Sequence, residues 1–151
     1  RQSARAIIPT IITQIASGNR NIKLGTISPT RDFNFVLDTC SAFLSVSESS
    51  RTIGKVLNVA NNFEISIGDL ALLIAEVMNV EIKIDTDKDR IRPENSEVNR
   101  LFGDYSLINS LTGWEPNFQG LEGLKSGLKV TAEWFSNPEN LIFYKANEYM
   151  I

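Results

Sequence analysis

Three stretches of this sequence gather side chains that could handle an anionic ligand. In Ser28-Pro29-Thr30-Arg31-Asp32-Phe33 an arginine follows a proline-containing loop at the base of an alternating segment. A guanidinium placed there can offer its planar fork of donors to a phosphate. The same residues could instead form an Arg31–Asp32 surface pair, worth about 0–1 kcal/mol. A second stretch, Asp89 to Arg100, holds Arg90, Arg92 and Arg100, enough to clamp a diphosphate. Asp87, Asp89, Glu94 and Glu97 make a solvated loop of internally paired charges the competing reading. The third stretch, Asn58 with Asn61 and Asn62, follows the apolar run Val56 to Val59. Loops at the carboxyl ends of strands commonly line ligand clefts, although asparagines are also ordinary turn formers. Gly113-Trp114-Glu115-Pro116 reads as a packing corner.

What is missing bounds the chemistry. There is no histidine and one cysteine, Cys40, which excludes Ser-His-Asp and Cys-His catalysis and leaves no plausible zinc site. Cys40 falls in an apolar helical stripe and reads as a packing residue. A single cysteine also suits a reducing, cytoplasmic setting. No Gly-x-x-Gly-x-x-Gly turn joins a strand to a helix, and none of the three tyrosines has a lysine four residues on. No metal-binding residue and no ordinary dinucleotide-binding turn is therefore expected in this chain. A net charge of −3 argues against a nucleic-acid surface. The apolar runs fall short of the roughly 20 residues a membrane helix requires.

The elements that must position these residues follow from periodicity and punctuation. Ile8, Ile11, Ile12 and Ile15 predict a helix from about Ile8 to Ser17, stopped by Gly18. Asn21 to Leu24 and the alternating Arg31 to Val36 predict short strands. Asp38 is placed to cap a helix with Cys40, Phe43 and Leu44 inside, ended by the polar run Ser45 to Ser50. Val56 to Val59 predicts a buried strand. The clearest helix runs from Ser66 to about Asn79, where Ser66 and Asp69 form a variant capping box. Val80 to Ile84 predicts a strand, and Asp104 a short helix to Leu111 closed by Gly113. A last helix points Leu121, Leu124, Leu128, Ala132 and Phe135 inward and stops before Pro138. The expectation is α/β: one small mixed domain, residues 1–151, of short strands and about five helices, with no dividing linker.

Taken in order, these stretches resemble the extended short-chain dehydrogenase/reductase family, specifically its nucleotide-sugar 4,6-dehydratases and epimerases. The similarity runs from Arg1 to about Glu133. Arg1-Gln2-Ser3 through Ile7-Ile8-Pro9 looks like the end of the family's Arg-Gln segment and its Ile-Pro helix. Gly25 through Asp38 resembles its Gly-x-x-x-Pro-x-Arg-Asp-Phe-x-Phe-Val-x-Asp block, and Asn58 to Ile67 its Asn-containing strand end before a Glu-x-Ser-Ile helix start. Arg90 to Pro116 carries Arg-x-Arg-Pro, Ser-Glu-Val, an arginine four residues before aspartate, and Gly-Trp-x-Pro. Pro-Thr-Arg-Asp-Phe and Arg-Pro-Glu-x-Ser-Glu-Val look most like the branch that dehydrates nucleotide-linked N-acetylglucosamine for legionaminic-acid-type sugars.

The resemblance implies that Arg31 and Arg100 contact a substrate diphosphate, with Arg92 in the same arginine-rich loop. It implies that Asn62 or Asn61 approaches the nucleotide. Lys23 and Leu24 would lie on the strand beside the base, and the Ile8 backbone would border the pocket. Where the family has Asp-x-Ser-Lys, this sequence has Asp104-Tyr105-Ser106-Leu107. The NAD turn, the Tyr-x-x-x-Lys pair and the Asp-Glu dehydration pair lie upstream in the family and have no counterpart here. The implied role is the substrate-binding portion of an enzyme using NAD on a UDP-, GDP- or dTDP-linked sugar. The enzyme would oxidise C4, eliminate water across C5 and C6, and return hydride to C6. A start at Arg1 without methionine fits a C-terminal piece whose N-terminal Rossmann domain is absent, that binds no NAD itself, and that self-associates through exposed apolar surface. A 4-epimerase or a non-enzymatic binding module are the alternatives.

Overall fold

The computed structural model describes residues 6–91 and 98–144. Its elements run α1 (Ile7–Ala16), β1 (Asn21–Leu24), β2 (Thr30–Asp32), α2 (Val36–Glu48), β3 (Glu64–Ser66), α3 (Ile67–Val77), β4 (Lys83–Thr86), β5 (Arg100–Leu101), α4 (Ser106–Thr112), α5 (Gly120–Ser136) and α6 (Pro138–Leu141). The α/β class is as expected, with six α-helices among the described residues where about five were expected. The chain divides into two compact units, 1–29 with 66–99 and 128–151, and 30–65 with 100–127. Each is assembled from separated segments, which is why no linker is legible.

The first unit pairs β1 with β4 in parallel, Asn21 opposite Lys83 and Leu24 opposite Thr86. The second strand begins three residues later than the apolar run Val80 to Ile84 predicts. Helix α1 packs on β1 and α3, burying Ile11, Ile12 and Ile15 with Ile22, Leu24, Leu70, Ala71 and Ile74. Pro9 is tolerated because first-turn N–H groups have no partner inside the helix. Ser66 caps α3 as predicted: its Oγ accepts from Asp69 N at 3.0 Å and donates to the Asp69 carboxylate at 2.6 Å.

The second unit orders its strands β3-β2-β5. Its core joins Ala42, Ile108 and Trp114 with Val46, Leu57, Val59 and Tyr105. The packing-corner reading of Trp114 holds, and its indole Nε1 donates to Ser41 Oγ at 2.8 Å. Gly113 ends α4 in the left-handed region at φ 77°.

Five expectations change here. The strand predicted from Arg31 to Val36 covers only 30–32, since Phe35 leaves the sheet to pack on Phe118, ring centroids 4.3 Å apart. Helix α2 starts at Val36, so Asp38 sits in its first turn as a buried anchor rather than a cap. The stripe Asp38, Ala42 and Val46 faces inward, which turns Cys40, Phe43 and Leu44 to the exposed side of α2. Cys40 is therefore not a packing residue within the described chain. Val56 to Val59 joins no strand ladder among the described residues, and Val56 is 91% exposed. In α5, Leu124 is buried as predicted while Leu121 is exposed.

Candidate functional site

The sheet of the second unit carries the two arginines singled out by the sequence. Strands β2 and β5 run parallel, Thr30 opposite Arg100 and Arg31 opposite Leu101. Side chains alternate along a strand, so Thr30 and Arg100 share one face while Arg31 and Leu101 issue from the other. The structure thus brings Arg31 and Arg100 onto neighbouring strands but one residue out of register, on alternate faces.

Arg100 is held in detail. Its Nε lies 3.0 and 2.9 Å from the two carboxylate oxygens of Glu64, and its Nη2 lies 2.6 Å from Glu64 Oε1. Thr30 Oγ1 donates to Glu64 Oε2 at 2.7 Å from the central strand. The guanidinium carbon stands 4.9 Å from the centre of the exposed Phe102 ring, two residues along. The hydrogen bonds from Arg100 and then Thr30 hold the Glu64 carboxyl down at about 2, and Glu64 in turn raises Arg100. The Arg100 side chain remains 64% exposed. Sequence reasoning missed Glu64 because its partner lies 36 positions away. The available signal was an acidic residue just before the Ser66 cap, in a chain with an arginine strand elsewhere.

The other motif residues divide between presentation and architecture. Arg31 is half-buried, with Nη1 donating to the Thr30 carbonyl at 2.8 Å. Asp32 gathers backbone donors, Asn61 N at 3.1 Å and Gly103 N at 3.3 Å. Burial raises its pKa, partly offset by the N–H groups of Asn61, Gly103, Asn62 and Phe63. Asp38 receives the N–H groups of Asn117 and Phe118, each at 2.9 Å. Both aspartates of the Arg-Asp-Phe block therefore fix loops. Asn61 does the same: its amide nitrogen donates to the Phe33 and Phe118 carbonyls and its oxygen accepts from Gly120 N. Of the two asparagines, Asn61 is 3% exposed and spent on backbone, while Asn62 is exposed at φ 53°.

The remaining candidates lie in the first unit. Lys23 has an exposed side chain, and its N–H and carbonyl are both clamped by the Gln14 amide, at 2.9 and 3.3 Å. Leu24 is buried in the core and its carbonyl accepts from Asp87 N, so neither group is presented to a ligand. Ile8 is half-buried in the first turn of α1. Arg90 pairs with Asp87 at 3.1 Å, the internal pairing foreseen for that loop. Arg92 lies outside the described residues.

A bound NAD would need glycines to bring backbone N–H groups against its pyrophosphate. Two glycines of the first unit stand at strand-to-helix junctions or strand ends. A Cβ on Gly25 would meet the Arg90 carbonyl, and one on Gly68 would touch Ile27. The approach at Gly25 is filled by that carbonyl, whereas the contact at Gly68 is an ordinary van der Waals one. Among the described residues no three His, Cys, Asp or Glu side chains group to hold a metal. No described helix is long and apolar enough to cross a membrane.

Comparison with known proteins gives a consistent family. The family model described as GDP-mannose 4,6 dehydratase matches residues 1–126. GDP-6-deoxy-D-mannose reductase of Pseudomonas aeruginosa is 30% identical over 115 residues, 76% of this chain and 36% of the relative. Human dTDP-D-glucose 4,6-dehydratase is 26% identical over 143 residues, 93% of this chain and 40% of the relative. The solved structure of RMD from Pseudomonas aeruginosa complexed with NADPH superposes with a TM-score of 0.68 at 28% identity, covering 86% of this chain and 44% of that one. The chain thus spans well under half the length of these relatives. With a matching fold and a family model that covers most of its length, it belongs to the GDP-mannose 4,6 dehydratase family of nucleotide-sugar-modifying enzymes.

Proposed function

We propose that this chain forms the nucleotide-diphosphate-sugar-binding portion of an NAD-dependent 4,6-dehydratase, with Arg100 as its principal contact to the diphosphate. The observation that carries this reading is the guanidinium of Arg100, oriented on a sheet face yet largely exposed, in a family whose named activities act on nucleotide-linked sugars. Arg31 and Asn62, which belong to the same unit as Arg100, are assigned secondary contacts to the same ligand. Anchoring the diphosphate would convert reaction at the distant sugar into an effectively intramolecular step. NAD and the catalytic residues would come from a further Rossmann domain. The exposed apolar side of α2 (Val36, Phe43 and Leu44) and the unladdered Val56 supply surface for such a partner or for self-association. The legionaminic-type N-acetylglucosamine substrate and a cytoplasmic setting belong to the same proposal.

Titration calorimetry with UDP, GDP and dTDP tests it. The expected result is binding of one of them, abolished by Arg100→Ala and weakened less by Arg31→Ala. Unchanged binding in Arg100→Ala would refute the assignment. The Glu64 pairing and the alternate faces of Arg31 and Arg100 favour a second reading, a binding or structural module without this ligand. That reading predicts no selective binding of any nucleoside diphosphate. A 4-epimerase is the alternative within the enzyme class, separated by assaying the whole enzyme for a 4-keto-6-deoxy product.

A further inference from the structure

Glu64 could compete with an anionic ligand for Arg100 or hold Arg100 ready for one, and the bond pattern decides between the two. A guanidinium has five N–H donors in a fixed plane, two along its Nε side and the remainder at its outer end. Glu64 takes the side edge, Nε and Nη2, leaving Nη1 and the outer hydrogen of Nη2 with no hydrogen-bond partner among the described residues. That remaining edge is itself a two-nitrogen fork of the kind that matches two phosphate oxygens. Glu64 does not float either: Thr30 Oγ1 fixes its second oxygen, and Phe102 lies under the guanidinium carbon. Arg100 is thus gripped on one edge by Glu64 of β3, itself held by Thr30 of β2, and on one face by Phe102, the residue after β5.

We infer that Glu64, oriented by Thr30, is a positioning residue that presents the outer edge of Arg100 to a phosphate. Arg100 then enters binding with its side chain already ordered. This rests on the proposed function, and the variants are chosen to separate the two. Thr30→Val is the cleanest perturbation because it removes the hydroxyl that holds Glu64 without altering charge or β-branching. Glu64→Ala also deletes a negative charge that repels the ligand, so it is measured near 0.5 M salt, where that repulsion between exposed groups is largely screened.

The full chain is titrated with UDP, and with uridine as the phosphate-free probe. Positioning predicts that Thr30→Val, and Glu64→Ala at high salt, each weaken UDP by roughly 3- to 10-fold, the cost of ordering one long side chain on binding. Uridine affinity stays unchanged, which a general loss of structure would not allow. Glu64→Gln, which keeps one acceptor oxygen, restores part of the loss. As a readout independent of ligand, the Arg100 Nε–H resonance is sharp and slow to exchange in the wild type and averaged in Glu64→Ala. Tighter or equal UDP binding in Thr30→Val overturns the inference in favour of competition. If Arg100→Ala also leaves UDP binding unchanged, the binding role of this strand falls as well. If Arg100→Ala weakens UDP and Thr30→Val does not, only the positioning role falls. Failure of the wild type to bind UDP, GDP, dTDP or inorganic pyrophosphate at millimolar concentration overturns both.

Discussion

Replacing Asp38 by alanine discriminates between two roles for a carboxylate near a helix start, because their energies differ. As a helix cap, Asp38 would contribute about 1 kcal/mol. In the structure its buried carboxylate instead receives the Asn117 and Phe118 N–H groups at 2.9 Å each. Hydrogen bonds to a charged acceptor contribute about 1.5–3 kcal/mol apiece, and their loss would leave two backbone donors without an acceptor. Asp38→Ala is therefore expected to cost about 3–5 kcal/mol, a large fraction of the roughly 5–15 kcal/mol that holds a domain folded. The two tryptophans allow the loss to be located, since Trp114 belongs to the same unit as Asp38 and Trp134 to the other. The assay is urea denaturation followed by fluorescence in a Trp134→Phe background, with stability from the midpoint and slope. A change of about 1 kcal/mol or less would refute the clamp and restore the cap.

Three further expectations follow from particular contacts. A Cβ on Gly103 would collide with Ala60 Cβ, so Gly103→Ala should lower stability by about 1–3 kcal/mol, read from the same Trp114 transition. Glu64 has its carboxyl lowered from an ordinary 4.5 to about 2, so the stabilising effect of its ionised form is complete above 4.5 and fades as pH falls toward 2. A carbon-detected NMR titration should find Glu64 still ionised at pH 3, and a midpoint near 4.5 would show that Arg100 does not hold it. Asp32, raised by burial, acts in the opposite sense, weakening the fold as pH rises past its folded pKa. Finally, Phe43→Ser with Leu44→Ser should reduce self-association and binding of an apolar dye, as both side chains are exposed on α2. Unchanged sedimentation would direct attention away from that face.

Local grammar made part of this molecule legible. Ser66 with Asp69, Gly113 at its left-handed stop, and the isoleucines of α1 each specify an element through neighbours a turn or less away. The misreadings share the opposite property. Alternation at Arg31 to Val36 suggested a longer strand because nothing nearby reveals that Phe35 packs on a ring 83 positions later. Apolar character predicts an inward face for Cys40, Phe43 and Leu44 on α2, yet the inner stripe contains Asp38, whose burial depends on donors about 80 positions away. The candidate site divides in the same way. Arg100 and Arg31 were readable as donors, whereas Glu64, the register that sends the two arginines to alternate faces, and the backbone duties of Asn61 arise from strand pairing and loop closure.

The left-handed backbone of Asn62, at φ 53°, makes that position an unusually clean tool. Glycine adopts such a torsion without steric cost, so deleting the amide by Asn62→Gly would relieve the chain as it removes the functional group. At most positions a truncation confounds lost chemistry with lost folding. Here the two effects run in opposite directions, and any drop in ligand affinity would be attributable to the missing carboxamide alone.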